Sequence, residues 1–331
     1  MSRVSVLVAV YNSADYLRQC LDSLLVQTLQ DIQIICIDDC STDNSLALLQ
    51  AYAQKDSRVE VIHLERNCGQ AHARNVGLER AEGEYVCMLD SDDWFSPDAL
   101  QQAVDVFDDN PLIDSVLFRL TYYHQDSGKE EEMAMKPFKT ITGREAFRLT
   151  LNWQIHGLYM IRTTIHKQYP YDESRRLYSD DNTTRIHFFW SRYVGLCQGL
   201  YYYRMHEHSC THAVSVKRFE QLGANESMKQ DLEKLDISRQ LLDDYEQYRW
   251  LVLIDTYMFY YSHRQELDEK DRQYGLTEMH RVWKEFDTSR LRQSLRCKFG
   301  YMPMRASWRL FCLQEEIYFG LRALRDRLRS R

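Results

Sequence analysis

The period of the apolar positions switches repeatedly along the first 120 residues. Val4 to Val10 (VSVLVAV) predicts a strand, and Leu17, Leu21, Leu24 and Leu25 recur at helical steps over Ala14 to Val26. Ile32 to Ile37 predicts a second strand, and Ser41-Thr42-Asp43 a cap for a helix running to about Ala53. Val59 to Leu64 is a third strand, Gly69 to Ala81 a helix, Tyr85 to Leu89 a fourth strand and Pro97 to Phe107 a helix. Ser96-Pro97 reads as that helix's cap and first residue, and Ser115 to Leu120 as a fifth strand. Strand and helix in alternation predict an α/β fold, a mainly parallel sheet with helices on both faces. From about Arg218 onward Gly and Pro are scarce and the chain reads mainly helical. The expected division is a domain over 1–214 and a helical region over 215–331.

Polar residues cluster where the apolar runs stop. Tyr11-Asn12 follows the first strand, Asp38-Asp39 the second, and Asp90-Ser91-Asp92-Asp93 the fourth. In parallel sheets ligands bind outside the carboxyl ends of the strands, so these groups fall on one edge. Three carboxylates in four residues repel one another unless a cation or a hydrogen-bonding ligand joins them. The arrangement suits a divalent ion bridging protein to phosphate; the bland alternative is a solvated acidic turn.

Four segments, in this order, carry a resemblance: VLVAVYN (6–12), ICIDDCS (35–41), GQAHARNVG (69–77) and YVCMLDSDDW (85–94). Together they resemble the family 2 glycosyltransferases of the GT-A fold. A weaker match follows at Ser179-Asp180-Asp181 and at residues 201–211. Ala9 departs from the family, which often has Pro there. The resemblance implies an inverting enzyme that moves a sugar from a nucleotide sugar, expected to be UDP-linked, to a saccharide or lipid-linked acceptor in surface polysaccharide or glycolipid synthesis. It implies a nucleotide site of Tyr11, Asp39, Arg74 and Asp90, with Asp39 accepting from the uracil imide and Arg74 facing phosphate. It implies Mn²⁺ or Mg²⁺ held by Asp92, with Asp90 on the ribose or in the metal's shell and His206 as a further contact. Asp93 is expected to turn the loop and Asp38 to be structural. Asp181 matches the family's base, although Asp ahead of Asn182-Thr183-Thr184 also suits a helix cap. His206, His208, Cys210 and His212 alternate as on one strand face, but this is not the usual looped spacing of a zinc site.

Two rivals, and a dehydrogenase that fails at once, stand beside this reading. A sugar nucleotidyltransferase would want a Gly-rich, basic loop after the first strand, where Tyr11-Asn12-Ser13-Ala14-Asp15 stands instead. A dinucleotide dehydrogenase lacks its G-x-G-x-x-G for the same reason. The other rival is a non-catalytic nucleotide-sugar scaffold; the intact acids at 39, 90, 92 and 181 weigh against it, and turnover, not binding, separates the two.

Charge changes the picture in one place. The net charge is −7, yet from Arg290 onward eleven Lys or Arg stand against three Asp or Glu, a local balance of +8. A negative body argues against nucleic acid as the partner. Leu310, Leu313, Ile317, Leu321, Leu324 and Leu328 recur at three- and four-residue steps, with Arg309, Arg322, Arg325, Arg327 and Arg329 largely elsewhere on the wheel. This predicts a basic amphipathic helix over 308–331 that docks on the chain, on another subunit or on an anionic membrane surface. Nine scattered Cys fit a reducing compartment, and no leader or bilayer-spanning run is read. The expected location is cytoplasmic, peripheral on the inner face of the cytoplasmic membrane.

Overall fold

A computed structural model describes residues 2–173, 178–206, 215–235 and 237–329. The chain forms two compact units, Met1–Ser209 and Cys210–Arg331. The strands are β1 (Val4–Val10), β2 (Ile32–Asp38), β3 (Val59–His63), β4 (Tyr85–Met88), β5 (Trp94–Phe95), β6 (Ile113–His124), β7 (Lys129–Glu132), β8 (Thr140–Thr142), β9 (Tyr159–Arg162) and β10 (Tyr193–Met205). The helices of the first unit are α1 (Ala14–Leu25), α2 (Ser45–Lys55), α3 (Gln70–Arg80), α4 (Ala99–Asp109), α5 (Gly143–Thr150), α6 (Thr163–Gln168) and α7 (Ser179–Trp190). The second unit holds α8 (Glu220–Lys234), α9 (Arg239–His263), α10 (Glu269–Glu285), α11 (Gln293–Arg296) and α12 (Trp308–Arg329).

The strands order as β3-β2-β1-β4-β9-β6-β10-β5, with β7 on β6 and β8 on β10. The first four are parallel, as their helical crossovers require. Beyond β4 the sheet is mixed: β9 runs antiparallel to both β4 and β6, while β10 is parallel to β6. The expected mainly parallel sheet therefore describes only its amino-terminal half. Alternate residues divide between two cores. Val4, Val6, Val8 and Val10 pack with Leu17, Leu21 and Leu24 of α1, while Leu7, Ile35 and Ile37 pack with Ala73 and Leu78 of α3. Burial on both faces is why these strands read as nearly continuous apolar runs.

Two expected helix starts shift. α2 begins at Ser45 behind Asn44, because Asp43 is occupied elsewhere: its carboxylate accepts from the N–H groups of Ala14 and Ser45. α4 begins at Ala99 behind Asp98, not at Pro97. Ser96 does not cap it; its hydroxyl accepts from the Leu200 N–H, because Trp94 and Phe95 form a short strand on β10.

In the second unit Trp250, Tyr257, Phe286 and Phe311 are buried and in ring contact. No helix of the described residues is long and apolar enough to cross a membrane.

Candidate active site

Sheet order reverses at β1, with β2 on one side and β4 on the other. Such a switch point opens a crevice outside the carboxyl ends of the strands. The turns after β1, β2 and β4 meet there and are cross-linked. Asn12, in the left-handed region (φ 50°), donates its N–H to Ser41 Oγ at 3.1 Å and accepts from the Thr42 N–H at 2.7 Å. The hydroxyls of Ser13 and Ser91 share a hydrogen bond of 2.7 Å. Tyr11 projects from this rim and is exposed.

Asp38 and Asp39 divide their tasks. Asp38 is fully buried, with one oxygen 2.7 Å from His63 Nδ1, as suits a structural residue. Asp39 is also buried, and its two oxygens accept from the N–H groups of Cys68 and Gly69 at 2.7 and 2.8 Å. Gly69 has φ 92°, which glycine adopts without strain, so its N–H can face Asp39 just ahead of α3. Asp39 thus ties the start of α3 to the end of β2. The same loop lines an open hollow between Arg66, Cys68, Gly69, His72 and Glu173.

Gln70 and Arg74 lie one turn apart on α3 and both reach Asp90. Arg74 Nη2 donates to Asp90 Oδ1 at 2.6 Å, and Gln70 Nε2 to the same atom at 3.2 Å. Arg74, expected on phosphate, is buried beneath the ring of Tyr171 and pairs with this carboxylate. Burial raises the Asp90 carboxyl; Arg74 opposes that, and Asp92 and Asp180 add to it, leaving it above its ordinary value.

Asp92 Oδ2 lies 3.0 Å from His206 Nε2, and the His206 ring stacks on Tyr16. Asp93 is buried, accepting from the Tyr201 hydroxyl and from the Arg204 N–H, each at 2.8 Å. Burial, then the charges of Asp92 and Asp90, push its carboxyl well above the carboxylate range. Asp93 thus anchors the turn to β10. The Arg204 guanidinium donates to the carbonyl of Asp92 at 2.7 Å and to Gln125 and Gln19, and lies 4.6 Å from the Trp94 ring centre. Sequence reasoning raises Tyr201 only as one of several aromatics that could stack on a sugar ring, and does not single out Arg204, Gln70, Tyr16 or Tyr171. Tyr201 and Arg204 do fall in the segment of weaker family resemblance. β10 ends at Met205, and His208, Cys210 and His212 lie outside the described residues.

Asp92 and His206 offer a carboxylate oxygen and an imidazole nitrogen at one point; the carboxylate suits Mn²⁺ or Mg²⁺, and of the two the imidazole favours Mn²⁺, a transition metal. Among the described residues no third His, Cys, Asp or Glu joins them. Such ions are often held by one or two side chains together with substrate phosphates.

α7 begins at Ser179, behind Tyr178 (φ 64°), so Asp181 is its third residue and not its cap. Asp181 is partly buried, with Arg185 Nη2 at 4.0 Å. Burial pushes its carboxyl up to about 6; Asp180 adds to this and Arg185 opposes it. Asp180, its neighbour in the same turn, also acts on Asp90 and Arg74, which places this turn within electrostatic reach of the acidic loop. A carboxylate with this pKa is ionised at neutral pH and can accept a proton.

Comparison with known proteins agrees with this geometry. The sequence profile of Glycosyl transferase family 2 matches residues 5–169. The putative glycosyltransferase EpsH of Bacillus subtilis is 32% identical over 257 residues, 73% of this chain and 73% of that one. Staphylococcus aureus TarS 1–349, solved in complex with UDP-GlcNAc, superposes with a TM-score of 0.74 at 20% identity, covering 96% of this chain and 91% of that one. The mannosyltransferase PcManGT of Pyrobaculum calidifontis, solved with GDP-Man and Mn²⁺, has a TM-score of 0.54 at 15% identity, covering 95% and 86%. At these identities the two structures speak for the fold. The strand-end acids, the GT-A sheet and the match to EpsH agree, and the chain belongs to glycosyl transferase family 2.

Proposed function

We propose that this glycosyltransferase is metal-dependent and inverting, and that its donor is a UDP-sugar. Its acceptor would be a saccharide or lipid-linked hydroxyl in bacterial surface polysaccharide or glycolipid synthesis, at the inner face of the cytoplasmic membrane. The observation that carries this reading is a pair of contacts, Arg74 with Asp90 and His206 with Asp92, in the loop after β4 at the carboxyl edge of the switch point. TarS, bound to UDP-GlcNAc, supports the uridine donor, and PcManGT, with Mn²⁺, supports the cation.

In this reading the first unit is the catalytic one, and Asp92 and His206 hold the cation, with Asp90 in its shell. Bound Mn²⁺ or Mg²⁺ would supply positive charge against the departing diphosphate. Arg74 keeps Asp90 in place and adds a fixed positive charge behind it. Asp39 accepts from the uracil imide while its other lone pairs keep the Cys68–Gly69 turn closed. Tyr11 flanks the base. Asp181 takes the acceptor hydroxyl's proton as the new glycosidic bond forms on the face opposite the leaving group, so no covalent sugar–enzyme bond is needed.

Calorimetry of UDP binding tests the site. Wild type should bind UDP far better with Mn²⁺ than with EDTA, and Asp92→Ala should abolish that difference. Asp39→Ala should weaken UDP binding while sparing its metal dependence. Equal affinity of wild type in Mn²⁺ and EDTA would remove the metal from the reading, and unchanged affinity in Asp39→Ala would remove the uracil contact.

A further inference from the structure

α12 has two apolar faces and only one is covered. Phe311, Glu315 and Phe319 are buried, and the helix packs on α9 through rings such as Tyr257. Leu310, Leu313, Ile317, Leu321, Leu324 and Leu328 are between 45 and 66% exposed. Six large apolar side chains in one continuous stripe exceed the scattered exposure normal for a protein surface. The stripe therefore does not serve to hold the helix on its own unit.

At about 3.6 residues per turn, Arg309 and Arg327 fall on one flank of the stripe and Arg325 on the other. All three are exposed, Arg325 with its guanidinium 3.0 Å from the neighbouring, likewise exposed Asp326. Arg322 falls on the covered side, where it reaches Met258 and Asp326. An apolar stripe edged by arginines suits the boundary between lipid headgroups and acyl chains: leucines enter the apolar layer and guanidinium groups remain with the phosphates. A second copy of the same face would bring like charges together at both edges. The polarity of the helix excludes a span, so it would lie in the plane of the surface.

We propose that the exposed face of α12 docks on a membrane bearing anionic phospholipid. This deepens the reading of a glycosyltransferase that works at a membrane, and it can fail while the nucleotide site stands. The test is co-sedimentation of the full-length chain with vesicles of phosphatidylglycerol and phosphatidylcholine, against vesicles of phosphatidylcholine alone. UDP calorimetry is run in parallel as a separate readout of the first unit.

Strong sedimentation with the mixed vesicles and weak sedimentation with the neutral ones is expected. Raising salt to about 1 M, where charges are screened beyond about 3 Å, should release the protein. Arg325→Gln/Arg327→Gln should lower partitioning about thirtyfold, at roughly fivefold per arginine. Leu321→Ser/Leu324→Ser/Leu328→Ser should abolish sedimentation and leave UDP binding unchanged. Equal sedimentation with both vesicles, or none with either, overturns the proposal. It is also overturned if the leucine variant instead dissolves a dimer seen by sedimentation equilibrium, which would assign the face to a second copy. Should the leucine variant lose its thermal transition, the arginine pair decides: unchanged partitioning there overturns the proposal, and a thirtyfold drop supports it.

Discussion

Two buried acidic clusters, one in each unit, are handled in opposite ways. In the helical unit Glu246 is fully buried, yet Arg249 Nη1 donates to both its oxygens at 2.9 and 3.1 Å, and Arg249 Nη2 donates to Glu226 at 2.6 Å. Lys229 stands 3.6 Å from the same Glu246. Two cations face two carboxylates there. At the end of β4, Asp90, Asp92 and Asp93 crowd together with Asp180 in electrostatic reach, and Arg74 pairs directly with one of them. Packing alone would favour neutralising such a group, as in the helical unit. At the sheet edge burial and mutual repulsion push the Asp90 and Asp93 carboxyls up, and an arriving cation would relieve that crowding. The helical cluster is paired within the chain; the loop after β4 is less so, in keeping with the proposed cation site.

The first way to break this contrast is at Asp181. Asp181→Asn should lower sugar transfer by about 10²–10⁴-fold while UDP binding and the thermal transition stay in place. The structure sharpens this test, because the residue caps no helix end. In the proposed mechanism the base works ionised, and burial has raised the Asp181 carboxyl to about 6. Transfer should therefore fall as pH drops through about 6, and the variant's remaining rate should lose that inflection. A fully active Asn variant would remove the base assignment.

Arg249→Ala should act on stability instead. It leaves Glu246 buried without its main partner, and breaking such a pair costs about 3–5 kcal/mol. Urea unfolding followed by the tryptophans of the helical unit measures it. If each unit unfolds on its own, UDP affinity of the remaining folded protein should not change. Stability within error of wild type would erase the distinction between the two regions.

Arg204 gives the smallest effect and the finest test. Its side chain supports the turn through the Asp92 carbonyl and is not itself a candidate ligand. Arg204→Met, which keeps the stem over Trp94, should weaken Mn²⁺-supported UDP binding by about tenfold, the loss of one charge-assisted hydrogen bond. Binding in EDTA should barely move. Equal losses with and without metal would make Arg204 a general packing residue.

Much of this was legible before any tertiary contact was known. Val4 to Val10 and Ile32 to Ile37 are apolar because both faces of the central strands are covered, and the strand-end acids at 39, 90 and 92 mark the edge where polar groups leave the core. The leucine stripe of α12 was legible for the same reason: periodicity reports which positions share a face. It does not report what the face meets, and the structure shows that Phe311 and Phe319, off the stripe, make the buried contact.

What sequence could not supply is pairing. The antiparallel insertion of β9 between β4 and β6 joins segments far apart in the chain, and local period carries no trace of it. Arg74 meets Asp90 across 16 residues, Asp39 meets Gly69 across 30, and His206 meets Asp92 across 114. Helix starts moved for the same reason: Asp43 and Ser96 suit a cap by type, but turns and strands brought in from elsewhere claimed their oxygens. The sequence by itself determined which residues are apolar, in what period, and where carboxylates end a strand. Only the tertiary structure decided which partner each buried polar atom found, because a hydrogen bond depends on angstrom-scale proximity that the folded chain alone creates.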